Sequence, residues 1–370
     1  MTPSRPTAAR TAITDVRVFD GDRLTPARTV VFEAGLITSA TSWGDGDAVV
    51  DGRGRTLLPG LIDSHIHLHG PDTLQACAVW GVTTGLDMAS RPPALVDSLR
   101  QQAGTSDIRS ANSPASAPGS PQTTFMGFDA STALRSPEDA DTFVKQRVDE
   151  HSDYIKVIVE DPDTRGGIAL TPDTVAAVVV AAHRHGLRVF AHATTIGAYR
   201  LAALAGVDVL THAPVDAEAD AELIALLRAR SLACVPTLTM MQAVTQLGRP
   251  AEQAAAAYSH ASRTVGALHA AGVPVVAGTD ANAAPGSPAP IAHGKALHDE
   301  LVLLVAAGLS PVEALRAATV LPARLFDLSD RGAVSAGLRA DLLLVDGDPT
   351  RDITATAAVQ GVWVAGTQVR

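Results

Sequence analysis

Leu57-Leu58-Pro59-Gly60-Leu61-Ile62-Asp63-Ser64-His65-Ile66-His67-Leu68 is an apolar run that delivers two histidines separated by one residue. Side chains of an extended strand alternate faces, so His65 and His67 point the same way. Two imidazoles on one face can share a metal ion at about 2.0–2.1 Å each. A buried strand ending in such a pair fits the mouth of a barrel. A lone pair of this kind is equally a polar strand end, so the metal reading depends on further ligands at other strand ends.

The surrounding chain alternates strand and helix. Strands are expected over residues 61–68, 82–88, 154–159, 188–193, 207–211, 232–238 and 273–279, with an eighth within 109–128. Between them, Thr171 before Pro172 is an N-cap ahead of proline, opening a helix that stops at Gly186. Residues 217–230 and 251–271 are alanine-rich helices. About eight strand–helix units predict an α/β (β/α)8 TIM-type barrel over residues 59–329, with an open doubly wound sheet as the competing form. Short strands with Gly/Asp turns at both ends of the chain predict a small β-sandwich domain built from residues 1–58 and 330–370. Residues 103–122, rich in Ser, Pro, Ala and Gly, read as a loop at the active site in preference to a linker.

Composition limits the function. The 370 residues are 46% hydrophobic and 18% charged, which suits a large packed core. A formal charge of −10 without a basic block argues against nucleic-acid binding. Cys77 and Cys234 stand far apart in apolar segments and read as core residues in a reducing compartment. The first ten residues lack the apolar stretch of a signal peptide, and no later run is long enough to span a bilayer. The expectation is a cytoplasmic protein acting on a small molecule, with no membrane or nucleic-acid partner and homo-oligomer formation left open.

Polar residues recur where apolar strands end. Lys156 interrupts the run Ile155 to Val159 and demands a partner such as Glu160, a path to solvent, or modification by CO2 into a carbamate that bridges two metals. His192 and His212 end two successive strands, and Asp280 ends the last, where a helix N-cap is the alternative role. Nitrogen and oxygen donors without thiolate suit Zn2+, with Mn2+, Fe2+ or Ni2+ as alternatives.

This order, HxH, strand-end Lys, His, His and then Gly278-Thr279-Asp280-Ala281, resembles the amidohydrolase superfamily of metal-dependent hydrolases. The likeness is to its imidazolonepropionase-like and Xaa-Pro dipeptidase-like branch. It extends to Ala340-Asp341-Leu342-Leu343-Leu344-Val345-Asp346-Gly347-Asp348-Pro349, similar to the strand that returns to the small domain. The resemblance implies two Zn2+ ions. His65, His67 and Asp280 would hold the more buried one, His192 and His212 the more exposed one, and carbamylated Lys156 would bridge them. It implies Asp280 as general base and acid, and His212 as an aid to the oxyanion. His293 is a candidate for the substrate pocket or for a helix cap. Arg165 is a candidate clamp for a substrate carboxylate, against a solvated loop arginine. His69 reads as a residue behind the ligands, and Tyr199 as core.

Two departures bear on substrate. Residues 113–122 contain no histidine where dipeptidase-like relatives carry a Gly-Gly-His-Gly-type loop, and Thr237 to Met241 offers no tyrosine or arginine for a free carboxylate. The reading is hydrolysis of an amide, cyclic amide or carbamate C–N bond. Alternatives are a one-metal deaminase or imidazolonepropionase-type ring opener, a dipeptidase of the Xaa-Pro type, and a non-catalytic scaffold.

Overall fold

The computed structural model describes residues 10–164, 166–283, 287 and 289–370. The terminal segments share one mixed sheet. It contains β1 (Thr11–Val18), β2 (Arg28–Glu33), β3 (Leu36–Ile37), β4 (Ala48–Asp51) and β5 (Arg55–Pro59) from the front of the chain. From the back come β13 (Leu342–Asp346), β14 (Val359–Val364) and β15 (Thr367–Gln368), in the order β15-β14-β13-β5-β1-β2-β3 with β4 beside β1. The first half of β1 pairs with β2 and β4 and its second half with β5. Asp15, at φ 50°, sits in the bulge between the halves. A bulge bends its strand, and the bent sheet wraps Ile13, Val18, Phe32, Leu57, Leu342 and Trp363 into a core of its own.

The middle of the chain is a barrel. Its strands are β6 (Leu61–Ile66), β7 (Val82–Asp87), β8 (Asp107–Ser110), β9 (Ile155–Ile158), β10 (Val189–His192), β11 (Val209–Thr211) and β12 (Ala233–Val235). They form two parallel sheets, β6-β7-β8 and β9-β10-β11-β12. Two irregular segments close the ring. Ala115 bridges β9 at Val157, while Val275 and Ala281 bridge β12 and β6.

Several boundaries differ from the sequence reading, and the strand expected over 273–279 is an irregular segment. The strand sought within 109–128 begins earlier, at Asp107, so residues 103–122 contain a strand as well as a loop. The run 111–116 after it is buried, because Ala115 donates to the Lys156 carbonyl and accepts from Ile158 N (both 2.8 Å). Its small side chains let the backbone enter the barrel wall. The strand expected over 232–238 stops at Val235, since Thr237 turns left-handed (φ 47°) into the helix Leu238–Gln246. That helix start is anchored by Glu300, whose carboxylate accepts from the amides of Leu238 (2.9 Å) and Thr239 (2.7 Å). A carboxylate there satisfies orphan N–H groups and the helix dipole together. The helix Pro172–Arg184 starts as expected, with the Thr171 hydroxyl accepting from Thr174 N.

Cys77 and Cys234 are buried free cysteines, with no disulfide between them. No helix among the described residues is long and apolar enough to cross a membrane.

Candidate functional site

His65 and His67 lie where β6 ends, and Asp280 follows the segment that closes the barrel against it. The registration of these two stretches is set by Asp63. Its Oδ1 accepts from His65 N (3.2 Å) and Thr279 N (3.0 Å), and its Oδ2 accepts from the Thr279 hydroxyl (2.7 Å). Asp280 N donates to the His65 carbonyl (2.8 Å). Burial pushes the Asp63 carboxyl up to about 7 despite those hydrogen bonds. Removing the carboxylate strands donors in the barrel wall at about 1–3 kcal/mol each. Asp63→Ala is therefore expected to lose about 2–3 kcal/mol of stability, and Asp63→Asn, which keeps an acceptor for the amides, under about 1 kcal/mol. Thermal unfolding of the two variants measures this; equal losses would contradict the bonding scheme.

One donor atom from each of His65, His67 and Asp280 falls within 4.8 Å of the others, the one such group of three among the described residues. Nε2 of His67 is 2.9 Å and Nε2 of His65 3.5 Å from Asp280 Oδ1. His67 Nδ1 faces the Ala89 carbonyl at 3.4 Å, which gives that nitrogen a proton acceptor and leaves Nε2, on Asp280, as the nitrogen a metal would take once its proton is lost. His65 Nδ1 is buried with no hydrogen-bond partner. Two nitrogens and one carboxylate oxygen gathered within 4.8 Å, with the His67 ring oriented by a carbonyl, fit a divalent metal.

The other candidates adjoin this group. The His212 ring centroid is 4.9 Å from that of His65 and 4.4 Å from that of His192. His212 Nδ1 is 2.9 Å from Thr237 Oγ1 and 3.8 Å from Asp280 Oδ2. His192 Nε2 is 3.8 Å from Glu160 Oε1. The Lys156 amine does not reach for Glu160; it donates to the Thr211 hydroxyl at 2.5 Å. Burial lowers its pKa to about 7. Burial, with Lys156 and the neighbouring histidines, holds His65 and His212 well below the ordinary histidine range. His67 goes the other way. Burial would lower it, but Asp280, with help from Asp87 and the Ala89 carbonyl, outweighs burial and raises it.

Backbone strain accumulates here. His212 (φ 73°), Thr237 (φ 47°) and Asp280 (φ 57°) are all left-handed without being glycine. Such residues persist where surrounding bonds over-determine them, and they cluster at functional sites.

His293 Nε2–H donates to the His67 carbonyl at 2.9 Å, one residue before Gly294 caps the helix Lys295–Ala306. His69 Nε2 lies 3.0 Å from Asn282 Oδ1. Arg165 lies outside the described residues. Four positioning groups carried no signal for this role in the sequence. They are Asp63 and Thr237, described above, and two more. Asp87 accepts from Leu68 N (2.9 Å) and the Ser90 hydroxyl (2.6 Å), and buried Tyr199 donates to the His212 carbonyl. Asp63 lay inside the histidine motif and Thr237 inside the stretch read for a carboxylate holder, but neither reading gave it this role. A cavity of about 360 Å³ lined by Arg109, Tyr154, Arg188 and Phe326 lies at the amino ends of β8–β10, away from all six candidates.

A parallel barrel with HxH ending its first strand and an aspartate ending its last, closed on one point, defines the metal-dependent hydrolase class. The chain belongs to the Amidohydrolase family, whose profile matches residues 56–369. It is 35% identical over 211 residues to the imidazolonepropionase of Deinococcus deserti, covering 54% of this chain and 46% of that protein. The chain spans about half the length of the imidazolonepropionases it matches. A putative prolidase from Bifidobacterium longum superposes with TM-score 0.82 at 27% identity, covering 98% of this chain and 95% of that one. A Xaa-Pro dipeptidase with methionine bound in its active site shares the fold, with TM-score 0.82 at 23% identity over 97% of this chain and 99% of that one.

Proposed function

We propose that this protein hydrolyses a C–N bond of a small molecule at a single metal site held by His65, His67 and Asp280, and that the bond belongs to a cyclic amide opened by water. The observation that carries the reading is the converging His65–His67–Asp280 group, with the His67 ring oriented by a carbonyl. The imidazolonepropionase relatives support ring opening.

A divalent ion in this site supplies Lewis acidity, lowering the pKa of water from 15.7 to about 7. Asp280 takes the proton from the attacking water and returns it to the leaving nitrogen. His212, kept neutral by its surroundings, points one nitrogen at Thr237. With the Thr237 hydroxyl donating to Nδ1, the imidazole proton sits on Nε2 and is available to the oxyanion. The barrel wall around them supplies preorganisation, because Asp63, Thr237 and Tyr199 fix the backbone or ring of each group.

Lys156 supports a second reading. Its amine is buried beside the histidines, and a pKa near 7 keeps a neutral fraction able to add CO2. A carbamate there would bridge a second ion held by His192 and His212.

The test is metal content per chain, the mass of the Lys156 peptide, and turnover of the zinc-loaded protein against lactams, hydantoin-type rings, carbamates, N-acyl amino acids and dipeptides. One metal, an unmodified lysine and turnover of cyclic amides are expected. Two metals and a lysine heavier by one CO2 would replace this reading with the binuclear one. Chelation should abolish turnover and added zinc restore it, while His65→Asn should not recover on metal addition. Turnover that survives complete metal removal would overturn both readings.

A further inference from the structure

Four helices of this chain begin at a residue whose own side chain caps them. Thr171, Thr195, Asp220 and Ser310 each accept from the backbone N–H three residues on. Such a cap satisfies one of the donors that a helix start leaves unpaired. Thr237 holds the same place before the helix Leu238–Gln246 and carries the same kind of hydroxyl, yet it makes no such bond. The four capping residues are extended, whereas Thr237 is left-handed (φ 47°, ψ 47°). Its Oγ1 lies instead 2.9 Å from His212 Nδ1.

The vacated task falls to Glu300, on the helix Lys295–Ala306. Its Oε1 accepts from Leu238 N (2.9 Å), and its Oε2 accepts from Thr239 N (2.7 Å) and the Thr239 hydroxyl (2.6 Å). The side chain is fully buried. The titratable groups that share its field are Asp63, Tyr258 and Cys234, none of them a cation. Burial pushes the Glu300 carboxyl up to about 7, and Asp63 adds to the rise. A buried acid without a cation is a costly way to cap a helix. The threonine hydroxyl at the ordinary capping position would do it at less cost, unless that hydroxyl is needed elsewhere.

We infer that Glu300 is a positioning residue of the active site: by capping the helix Leu238–Gln246 in place of Thr237, it frees the Thr237 hydroxyl to hold the His212 ring. The inference rests on the role given to His212 in the metal-site reading above and adds the group that makes that role available. Without both Glu300 oxygens, the Leu238 and Thr239 N–H groups turn to the Thr237 hydroxyl. His212 Nδ1 then loses its donor, and the imidazole proton is no longer held on Nε2.

Glu300→Gln keeps the shape and one acceptor, and sets an amide N–H against the Thr239 N–H. The zinc-loaded wild type, Thr237→Val, Glu300→Gln and the double variant are compared by 15N NMR of the His212 ring, assigned by its loss in His212→Asn, and by steady-state kinetics with hydantoin. The wild-type ring is expected to be neutral with its proton on Nε2. Each single variant should move that proton toward Nδ1. Each should lower kcat about 10–100-fold with KM within about twofold of wild type, because the lost bond orients a group needed in the transition state. The double variant should be no worse than either single one, since both changes remove the same bond. Should Glu300→Gln fail to fold, Glu300→Asp, which draws the carboxylate back by one methylene, takes its place in the same cycle. An unchanged His212 ring in the Glu300 variant, beside an altered one in Thr237→Val, would overturn the role of Glu300 and leave that of Thr237 standing. Losses that multiply in the double variant would overturn it as well, because Glu300 would then act by another route. A wild-type ring without its proton on Nε2, or an unaltered ring in Thr237→Val, would overturn the reading of His212 and the role of Glu300 with it. Absence of hydantoin turnover in the wild type would count against ring opening alone, and the ring spectra would still decide the role of Glu300.

Discussion

Asp280→Asn is expected to lower kcat/KM by about 10³–10⁴ with the fold unchanged. The change is isosteric, and Asp280 N still donates to the His65 carbonyl, so the closing segment keeps its place. The amide cannot carry a proton from water to the leaving nitrogen, which removes the proposed shuttle at a cost of roughly 4–5.5 kcal/mol in transition-state energy. A second readout does not depend on turnover. In the metal-free wild type, the Asp280 carboxylate raises the His67 pKa against the opposing effect of burial. Without that carboxylate only Asp87 and the Ala89 carbonyl oppose burial, so the His67 titration followed by NMR should move to lower pH. His67 is then free of its proton, and open to metal, at a lower pH than in the wild type. Full activity in the variant would eliminate the shuttle, and an unmoved His67 titration would contradict the 2.9 Å contact that places the two groups together.

Much of this site was legible because its groups obey strand rules. His65 and His67 share a face by the period of two, and His192, His212 and Asp280 each end an apolar run. What was not legible lies in contacts across long sequence separation. Asp63 meets Thr279 across the barrel closure, and Tyr199 meets the carbonyl of His212 from a helix. No local pattern carries either. Lys156 shows the same limit. Glu160 was the acidic partner the sequence suggested, yet the strand ends at Ile158, so Glu160 stands beside His192 while the lysine amine turns to Thr211 on β11. The closing pieces of the barrel show a further limit: residues 273–279 read as a strand, yet the structure forms no regular strand there. Residues 111–116 and 273–281 join their neighbours only by isolated bridges, through Ala115, Val275 and Ala281, which no pattern of side chains distinguishes from a regular strand.

Stability should depend most on a buried charge cluster between the barrel and the terminal sheet. Arg331 is 2% exposed in its side chain and lies 2.9 Å from the fully buried Asp107. It donates to the Thr84 hydroxyl of β7 (2.8 Å) and to both oxygens of Asp330 (2.8 and 2.9 Å). Asp107 is also met by Arg109 (3.1 Å), and Asp341 by Arg339 and by Ala365 N of the terminal sheet (2.9 and 2.7 Å). Breaking a buried pair by removing one partner leaves the other charge without its compensation, at about 3–5 kcal/mol. Arg331→Met, which keeps most of the volume, is expected to cost about 3 kcal/mol, because Arg109 retains part of the field on Asp107. Arg331→Lys should cost less, since it keeps the charge and loses only the fork. The pH dependence has a definite sign. Burial would raise the Asp107 carboxyl, but Arg109, Arg331 and Arg339 hold it below its ordinary value of 3.8. Its contribution is thus complete above the unfolded pKa and is lost as pH falls through the lower folded one. The gap between wild type and Arg331→Met should therefore be widest near neutrality and narrow in acid. Urea unfolding midpoints at pH 7 and pH 3.5 test this. A gap that stays constant between the two pH values would mean that Arg331 acts by packing alone, and that Asp107 gains nothing from its charge.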